Sequence, residues 1–234
     1  MKLCLIPARG GSKRIPRKNI RSFRGKPMVA WSIAAAKAAD CFDRIVVSTD
    51  DNEIADVAKA HGAEVPFLRP AHLADDKAST QAVIAHALAW CDQQALICEA
   101  VCCLYATAPF VQPHDLQLAA TRLAESRDGT VVFAATSFPF PIQRAIQLDE
   151  EGYASMFQPE SFPTRSQDLV EAFHDAGQFY WATPATWSRV TNLFEGARPQ
   201  LLPRWRVQDI DTEEDWKRAE LMHQLLTQQG AISG

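Results

Sequence analysis

Short apolar runs alternate along the chain with longer segments in which apolar residues recur at helical spacing. The apolar runs predict buried strands at residues 3–6, 44–49, 64–68, 100–105, 130–135 and 177–181. The longer segments predict helices at residues 28–39, 51–61, 79–93, 113–126 and 212–226. Because strands and helices alternate, the pattern predicts an α/β fold with a mainly parallel sheet between helices.

The alternation stops at about residue 137 and resumes at about residue 175. This segment places Pro139, Pro141, Pro159 and Pro163 among several phenylalanines, which predicts a small β-rich lobe inserted into a single domain of residues 1–234. Apolar side chains that no helix or strand pattern buries need a partner surface. We expect the lobe to pack against a second copy of the chain, so that the protein is a homodimer. The alternative is a lobe folded back on its own domain.

Positive charge is concentrated at the amino end. Residues 1–39 hold ten of the 24 lysines and arginines and no acidic residue, although the whole chain of 234 residues carries a net charge of −4. After the first strand, Gly10, Gly11 and Ser12 are surrounded in sequence by basic residues, namely Arg9, Lys13, Arg14, Arg17 and Lys18. Glycine reaches positive φ at little cost, so Gly10 and Gly11 are expected to turn their N–H groups toward one point, where Ser12 adds a hydroxyl.

This loop is predicted to bind a small polyanion such as a phosphate chain, because ligands of open α/β sheets bind beyond the carboxyl ends of strands. The alternative is a solvated basic loop without a ligand. The segment Gly11-Ser12-Lys13 lacks the earlier glycine and the following Ser or Thr of a Walker loop. The Gly-x-Gly-x-x-Gly dinucleotide pattern is missing as well.

Two carboxylates precede the last predicted helix. Side chains alternate in an extended segment, so Asp209 and Asp211 share one face while Ile210 points toward the core. Such a pair can hold Mg²⁺, whose remaining ligands are phosphate oxygens and water. The alternative is that Asp211 or Thr212 caps the last helix. A cationic phosphate loop elsewhere in the same sheet favours the metal.

Several segments together resemble the CMP-sialic acid synthetases, the cytidylyltransferases that activate nine-carbon and eight-carbon ulosonic acids. The matching stretches are IPARGGSKRIPRKN at 6–19, FDRIVVSTDDNEIADVA at 42–58, FLRPAHLADDKAST at 67–80, YATAPF at 105–110 and QDIDTEEDW at 208–216. Within that family, TRSQDL at 164–169 and FHDAGQFYW at 173–181 look most like pseudaminic acid cytidylyltransferases. The resemblance implies a Rossmann-like nucleotidyltransferase fold with a dimerisation lobe.

The resemblance also implies a reaction, in which CTP and pseudaminic acid give CMP-pseudaminic acid and pyrophosphate with Mg²⁺ as cofactor. Arg9 and Lys18 would stabilise charge during catalysis, and Asp209 and Asp211 would hold the metal. The residues implied in CTP binding are Arg9, Gly10, Gly11, Ser12, Lys13, Lys18, Asn19, Arg69 and Thr80.

The sugar site is where this sequence departs from sialic acid synthetases. Their glutamine before the Pro-Thr-Ser-Pro turn is replaced by Tyr105, and their Arg-Pro-Asn-Gly becomes the segment 174–177, HDAG. A sugar carboxylate needs cationic donors, and a guanidinium can pair with it through two hydrogen bonds. The candidates for contacts with the sugar are Tyr105, Arg144, Arg165, His174, Asp175 and Gln178. Arg144, Arg165 and His174 could instead be surface residues of the lobe.

The sequence leaves several other functions open and excludes nucleic-acid binding. CMP-N-acetylneuraminate or CMP-legionaminate synthesis, a hexose-1-phosphate nucleotidyltransferase and a non-catalytic nucleotide-binding regulatory module remain alternatives. Nucleic-acid binding is excluded because no basic stripe interleaved with aromatic residues exists. No apolar run approaches the roughly 18 residues of a membrane span, and Pro7 and Arg9 interrupt the first one, so we expect a cytoplasmic protein without a membrane partner.

Overall fold

The computed structural model describes residues 1–75 and 77–232. Asp76, in the polar loop that follows residue 68, and residues 233–234 lie outside this description. The described residues form ten strands: β1 (Lys2–Pro7), β2 (Ser22–Phe23), β3 (Lys26–Pro27), β4 (Arg44–Ser48), β5 (Ala100–Leu104), β6 (Val132–Ser137), β7 (Ile146–Leu148), β8 (Ala154–Met156), β9 (Phe173–Ala182) and β10 (Arg198–Leu201).

Six of these strands form the central sheet, in the order β10-β6-β9-β5-β1-β4. β1 is parallel to β4 and β5, and β10 is parallel to β6, whereas β9 runs antiparallel to both of its neighbours, β5 and β6. The predicted mainly parallel sheet is therefore confirmed. The carboxyl ends of β1, β4 and β5 lie at one edge of the sheet, where ligands of such folds bind.

Five helices begin and end close to their predicted positions, and the short helix at Pro184–Trp187 was not predicted. The described helices are α1 (Met28–Ala39), α2 (Asn52–Ala60), α3 (Thr80–Gln93), α4 (Pro113–Ala124), α5 (Pro184–Trp187) and α6 (Glu213–Gln228). The Asp51 side chain caps α2 by accepting the N–H of Ile54. Thr212 caps α6 in a reciprocal capping box with Asp215, so the capping role predicted as an alternative is confirmed for Thr212. Among the described helices, each is too short or too polar to traverse a lipid bilayer.

Side chains of the central strands alternate between two apolar layers. In β1, Cys4 and Ile6 join the layer that contains α1 and α4, whereas Leu3 and Leu5 join the layer that contains α3. Each such fully buried side chain stabilises the fold by about 1.5–3 kcal/mol.

A third apolar cluster attaches α6 to the amino-terminal part of the chain. Trp216 of α6 meets Phe23 of β2 edge to face, with ring centroids 5.5 Å apart. This contact brings the segment before α6 next to the loop after β1, although almost the whole chain separates them in sequence.

The apolar run at residues 64–68 does not form the predicted strand. It makes only two isolated parallel bridges to the β4 region, Val46 with Glu64 and Thr49 with Leu68. Pro66 lies between the two bridges, and because proline has no N–H it cannot continue the ladder of hydrogen bonds.

The lobe at residues 138–172 consists of the β7–β8 hairpin and three short 3₁₀ turns. Its aromatic side chains are largely exposed, including Phe140 at 78% and Phe162 at 74%. In a single copy of the chain this apolar surface faces solvent.

Candidate functional site

A cavity of about 490 Å³ lies at the carboxyl edge of the sheet. Its walls come from the loop after β1, the segment before α3 and the first residues after β5, with Asp211 closing one side. The charged residues among those that line it are Arg9, Lys13, Arg14, Lys18, Arg69 and Asp211. We call it the first cavity. Five cations against one carboxylate make it suited to a ligand with several negative charges.

Ion pairs join the two ends of the chain at this cavity. Arg14 Nη2 lies 2.9 Å from Asp211 Oδ2, and Lys18 Nζ lies 3.4 Å from Asp211 Oδ1. Lys18 Nζ also donates to the carbonyl oxygen of Ile210 at 2.6 Å. The structure thus brings together the basic loop and the acidic pair, which the sequence placed about 190 residues apart.

The glycines of the loop do not form the predicted cradle. Neither Gly10 nor Gly11 has a positive φ. The N–H of Gly10 donates to Asp50 Oδ1 at 3.0 Å, and the N–H of Ser12 donates to the carbonyl of Gly10 at 3.0 Å, so acceptors of the chain itself already engage both groups. Glycine is needed at position 10 for a different reason, because a Cβ there would lie 2.8 Å from Asp51 Oδ2. Gly11 has open space around it.

Arg69 is a buried cation that aims at the first cavity. Its exposed fraction is 6%, and within the described part of the chain its Nε and Nη2 have no hydrogen-bond partner. Burial lowers the pKa of the guanidinium, Asp50 opposes that shift, and Arg9 lowers the pKa further. A buried polar group whose donors lack partners is costly unless a ligand supplies acceptors, which makes Arg69 a candidate binding residue.

Asn19 shapes the basic loop from inside. Its Nδ2 donates to the backbone carbonyl of Arg9 at 2.9 Å, and its backbone carbonyl accepts the N–H of Val29 at 2.8 Å. The side chain is buried, and the residue lines the first cavity together with Ser12. Asn19 therefore ties the loop to the start of α1 and fixes the path of Arg9.

A second cavity, of about 710 Å³, adjoins the segment that carries the acidic pair. Its polar lining residues include His174, Asp175, Arg204, Gln208, Asp209 and Arg218. Asp209 lines this second cavity, whereas Asp211 lines the first. Ile210 between them is fully buried, as the alternation of an extended segment predicts.

The two carboxylates influence each other. Partial removal from water and the neighbouring Asp211 raise the pKa of Asp209, and Lys18 opposes the shift. Together they offer the oxygen ligands that a Mg²⁺ ion bound to phosphates requires, and no third protein ligand is needed. The described residues contain no cluster of three or more His, Cys, Asp or Glu side chains suited to a metal.

Tyrosine hydroxyls link the first cavity to Asp175. Tyr105 lines the cavity, and its hydroxyl lies 3.5 Å from Thr80 Oγ1 and near Tyr180. The Tyr180 hydroxyl donates to Asp175 Oδ2, and burial together with Tyr105 and Asp175 raises the pKa of Tyr180 well above its usual value. Thr80 itself is the first residue of α3 and is outside the lining of the described first cavity.

A bulge in β9 makes the hydrogen bond between Tyr180 and Asp175 possible. Phe133 of β6 lies opposite Tyr180, and Ala135 lies opposite Asp175, so β9 advances five residues where β6 advances two. In a regular strand, side chains five residues apart would be about 16 Å apart on opposite faces. Gly177 has a φ of 61° inside the bulge, and its N–H donates to Asp175 Oδ1 at 3.0 Å. Bulges of this kind redirect side chains beside active sites.

Three predicted sugar contacts take other positions. Gln178 is buried and donates from Nε2 to the carbonyl of Arg206 at 2.8 Å, so it anchors the backbone and lines neither described cavity. Arg144 and Arg165 lie exposed on the lobe, outside the linings of the two described cavities, and Arg144 donates to the carbonyl of Thr164. In one copy of the chain they are not brought together with His174 and Asp175.

The structure adds residues that sequence reasoning missed. Asp50 orders the basic loop, and Arg204 and Arg218 line the second cavity. Arg206 pairs with Asp115 through two hydrogen bonds, of 2.5 and 3.0 Å. The sequence signal for Arg204 and Arg206 was their position directly before the acidic pair, in the segment RWRVQDID.

The chain is similar to known proteins over most of its length. Residues 3–189 match a protein family described as Cytidylyltransferase. A pseudaminic acid cytidylyltransferase of Campylobacter jejuni is 45% identical over 224 residues, which cover 95% of this chain and 96% of that protein. A CMP-N,N'-diacetyllegionaminic acid synthase of Legionella pneumophila is 33% identical and covers 95% of this chain and 96% of its own length.

Solved structures share the fold. A CMP:2-keto-3-deoxy-manno-octonic acid synthetase complexed with CTP superimposes with a TM-score of 0.71 at 16% identity, covering 96% of this chain and 99% of the other. The predicted α/β nucleotidyltransferase fold is therefore confirmed. On the family match and on relatives that align over nearly their whole length, this chain belongs to the cytidylyltransferases and is a nucleotidyltransferase.

Proposed function

We propose that the protein transfers CMP from CTP to pseudaminic acid. The anomeric hydroxyl of the sugar attacks the α-phosphorus of CTP, a new P–O bond forms, the bond to the β-phosphate oxygen breaks, and pyrophosphate leaves with the hydroxyl proton released to solvent. The 45% identity to a pseudaminic acid cytidylyltransferase over 95% of the chain supports this substrate. No side chain is assigned as the general base.

The observation that carries the proposal is the first cavity with Arg69 buried in its wall. The partnerless donors of Arg69 suit acceptors on the nucleotide, and Arg9, Lys13 and Lys18 suit the triphosphate. Charge that develops on phosphate oxygens in the transition state is stabilised by cations already held in place. Arg9 and Lys18 are the catalytic residues in this proposal.

Asp209 and Asp211 would hold Mg²⁺ beside the triphosphate. The ion would supply positive charge to the phosphate oxygens. The chain's own residues prepare that position: Lys18 and Arg14 keep Asp211 at the first cavity, and buried Ile210 fixes the orientation of both carboxylates.

The sugar acid would occupy the second cavity and the edge of the first near Tyr105. Arg204, Arg218 and His174 offer positive charge or hydrogen-bond donors to its carboxylate. Asp175 repels a carboxylate and instead accepts hydrogen bonds from hydroxyl or amide N–H groups. Because Asp175 stands where the sialic acid synthetase pattern has proline, it distinguishes this site from one for N-acetylneuraminate.

Pyrophosphate release from CTP tests the proposal. The purified protein is assayed with Mg²⁺ and pseudaminate, legionaminate, N-acetylneuraminate or 3-deoxy-manno-octulosonate in parallel. We expect pseudaminate to react with the highest kcat/KM. Reaction with neuraminate alone would contradict the substrate assignment, and no release with any sugar acid would favour a regulatory nucleotide-binding module.

The lobe is proposed to join two copies of the chain. The exposed side chains of Phe140, Phe157 and Phe162 support this, because a surface so rich in aromatic residues is unusual on a monomer. Sedimentation velocity is expected to show a dimer for the unmodified protein and a monomer for a variant with Phe140→Asp and Phe162→Asp. A monomer at all concentrations of the unmodified protein would contradict it.

A further inference from the structure

A buried ion pair lies behind the acidic segment, outside both cavities in the described part of the chain. Arg206 Nη1 and Nη2 bind Asp115 Oδ2 and Oδ1 at 2.5 and 3.0 Å. The side chains are 11% and 6% exposed. Two parallel hydrogen bonds between a guanidinium and a carboxylate fix orientation as well as distance.

The pair connects two segments that line the first cavity. Asp115 is in the first turn of α4, where its Oδ2 also accepts the N–H of Gln112 at 3.1 Å. The loop before α4 contains Thr107, which lines the cavity. Arg206 stands three residues before Asp209, at the start of the acidic segment.

Gln178 of β9 binds the backbone at Arg206. Its Nε2 donates to the backbone carbonyl of Arg206, and its backbone carbonyl accepts the N–H of Tyr105 at 2.8 Å. The backbone at Arg206 is therefore attached to β9 and its side chain is attached to α4. At the other end of the acidic segment, Thr212 and Asp215 form the cap of α6. Asp209 and Asp211 lie between two fixed ends.

We propose that Asp115 and Arg206 are positioning residues that set the geometry of the Asp209–Asp211 pair for a divalent cation. This inference rests on the proposed metal role of the acidic pair. The ion pair does not touch the metal, and it acts by fixing the backbone from which both carboxylates project. Groups that orient metal ligands in this way commonly change metal affinity by about 10–100-fold when they are altered.

The test measures binding of Mn²⁺, used as a spectroscopic substitute for Mg²⁺, to the protein with CTP by electron paramagnetic resonance. Arg206→Lys keeps the charge but loses the two parallel hydrogen bonds. We expect the dissociation constant of Mn²⁺ to rise about 10-fold. Affinity for CTP without metal should stay unchanged, because Arg9 and Arg69 are not part of the pair. Arg44→Lys, in the Arg44–Glu64 ion pair at the start of β4, is the matched control.

A second variant keeps the test decisive if Arg206→Lys unfolds. In Asp115→Leu with Arg206→Met both charges are removed together, and such replacements of a buried pair often preserve stability. This double variant should weaken Mn²⁺ binding at least as much as Arg206→Lys does, while thermal unfolding shows that its fold is intact. A folded variant of either kind that binds Mn²⁺ as tightly as the unmodified protein overturns the positioning role. If the unmodified protein adds nothing to the binding of Mn²⁺ by CTP alone, the proposed metal site itself fails.

Discussion

The two cavities, one lined by Asp211 and the other by Asp209, differ in how their charges are arranged. Five cations face a single carboxylate in the first cavity, whereas the second mixes Arg204, Arg218 and His174 with Asp175 and Asp209. A triphosphate needs many positive charges but little distinction among its oxygens. A sugar acid carries one carboxylate among neutral hydroxyl and amide groups, so its site needs charges of both signs in defined places.

In the proposed reaction, the first cavity would set reactivity and the second would set selectivity among sugar acids. Changes in the first cavity should affect turnover with every sugar acid. Changes in the second cavity, apart from the proposed metal ligand Asp209, should affect the KM of one sugar acid relative to another and leave the KM for CTP unaffected.

Replacing Arg9 should have the largest effect. Arg9→Ala removes a cation held beside the triphosphate, and loss of one such group lowers kcat by about 10²–10³-fold, or roughly 3–4 kcal/mol. Steady-state assays at saturating CTP and Mg²⁺ measure it, with Arg127→Ala, outside both cavity linings, as the control. Unchanged turnover would remove the basic loop from the mechanism.

Neutralising either carboxylate of the acidic pair should have the second-largest effect on turnover. Asp211→Asn and Asp209→Asn are each expected to lower kcat by about 100-fold, because a divalent ion contributes several kcal/mol of charge stabilisation. Normal Mg²⁺ dependence in both variants would leave these residues without a metal role.

Stability provides a second readout for Asp209. Its pKa is raised in the folded protein, so ionisation disfavours folding once the pH rises above the ordinary pKa of an aspartate. Asp209→Asn should therefore raise the melting temperature at pH 7, and the gain should vanish at pH 3, where the carboxyl is protonated in both states. A melting temperature that falls equally at both pH values would contradict this.

Arg69→Met should separate binding from stability. The KM for CTP is expected to rise about 10–100-fold, since hydrogen bonds from a charged donor contribute roughly 1.5–3 kcal/mol. The variant should also unfold at a higher temperature, because a buried cation with partnerless donors is replaced by an apolar side chain. Calorimetry and CTP titration check the two effects, and a drop in both CTP affinity and melting temperature would make Arg69 a structural residue.

The smallest effect on kinetics is expected for a variant beside the second cavity. Tyr180→Phe removes the hydroxyl that holds Asp175, and we expect the KM for pseudaminate to rise about 10-fold while the KM for CTP is unchanged. Tyr153→Phe makes the same chemical change on the exposed lobe and serves as the control. An equal rise of both KM values would show that the division between the cavities is wrong.

The sequence alone predicted five of the six central strands and five helices, because these follow from apolar periodicity, but it missed β10 and wrongly predicted a strand at 64–68. It also indicated, from local charge, that the basic loop and the acidic pair serve one phosphate site. It did not predict that Gly10 is needed for contact with Asp51 rather than for positive φ. The hydrogen bonds of Asp175 with Tyr180 and of Gln178 with Arg206 also escaped it, since they depend on a bulge in β9 and on a partner 28 residues away. Such pairings arise from strand register, which local patterns do not encode.

The ion pairs between Asp211 and the two cations Arg14 and Lys18 have a consequence for ligand exchange. Before a nucleotide arrives, Asp211 already neutralises part of the charge that would attract it. A chloride or a single inorganic phosphate must compete with the Asp211 carboxylate for these two cations, and little binding free energy results. A triphosphate has enough negative charge to displace the carboxylate. In the proposed reaction, Asp211 would pair again with both cations as pyrophosphate leaves, which would favour release of the product.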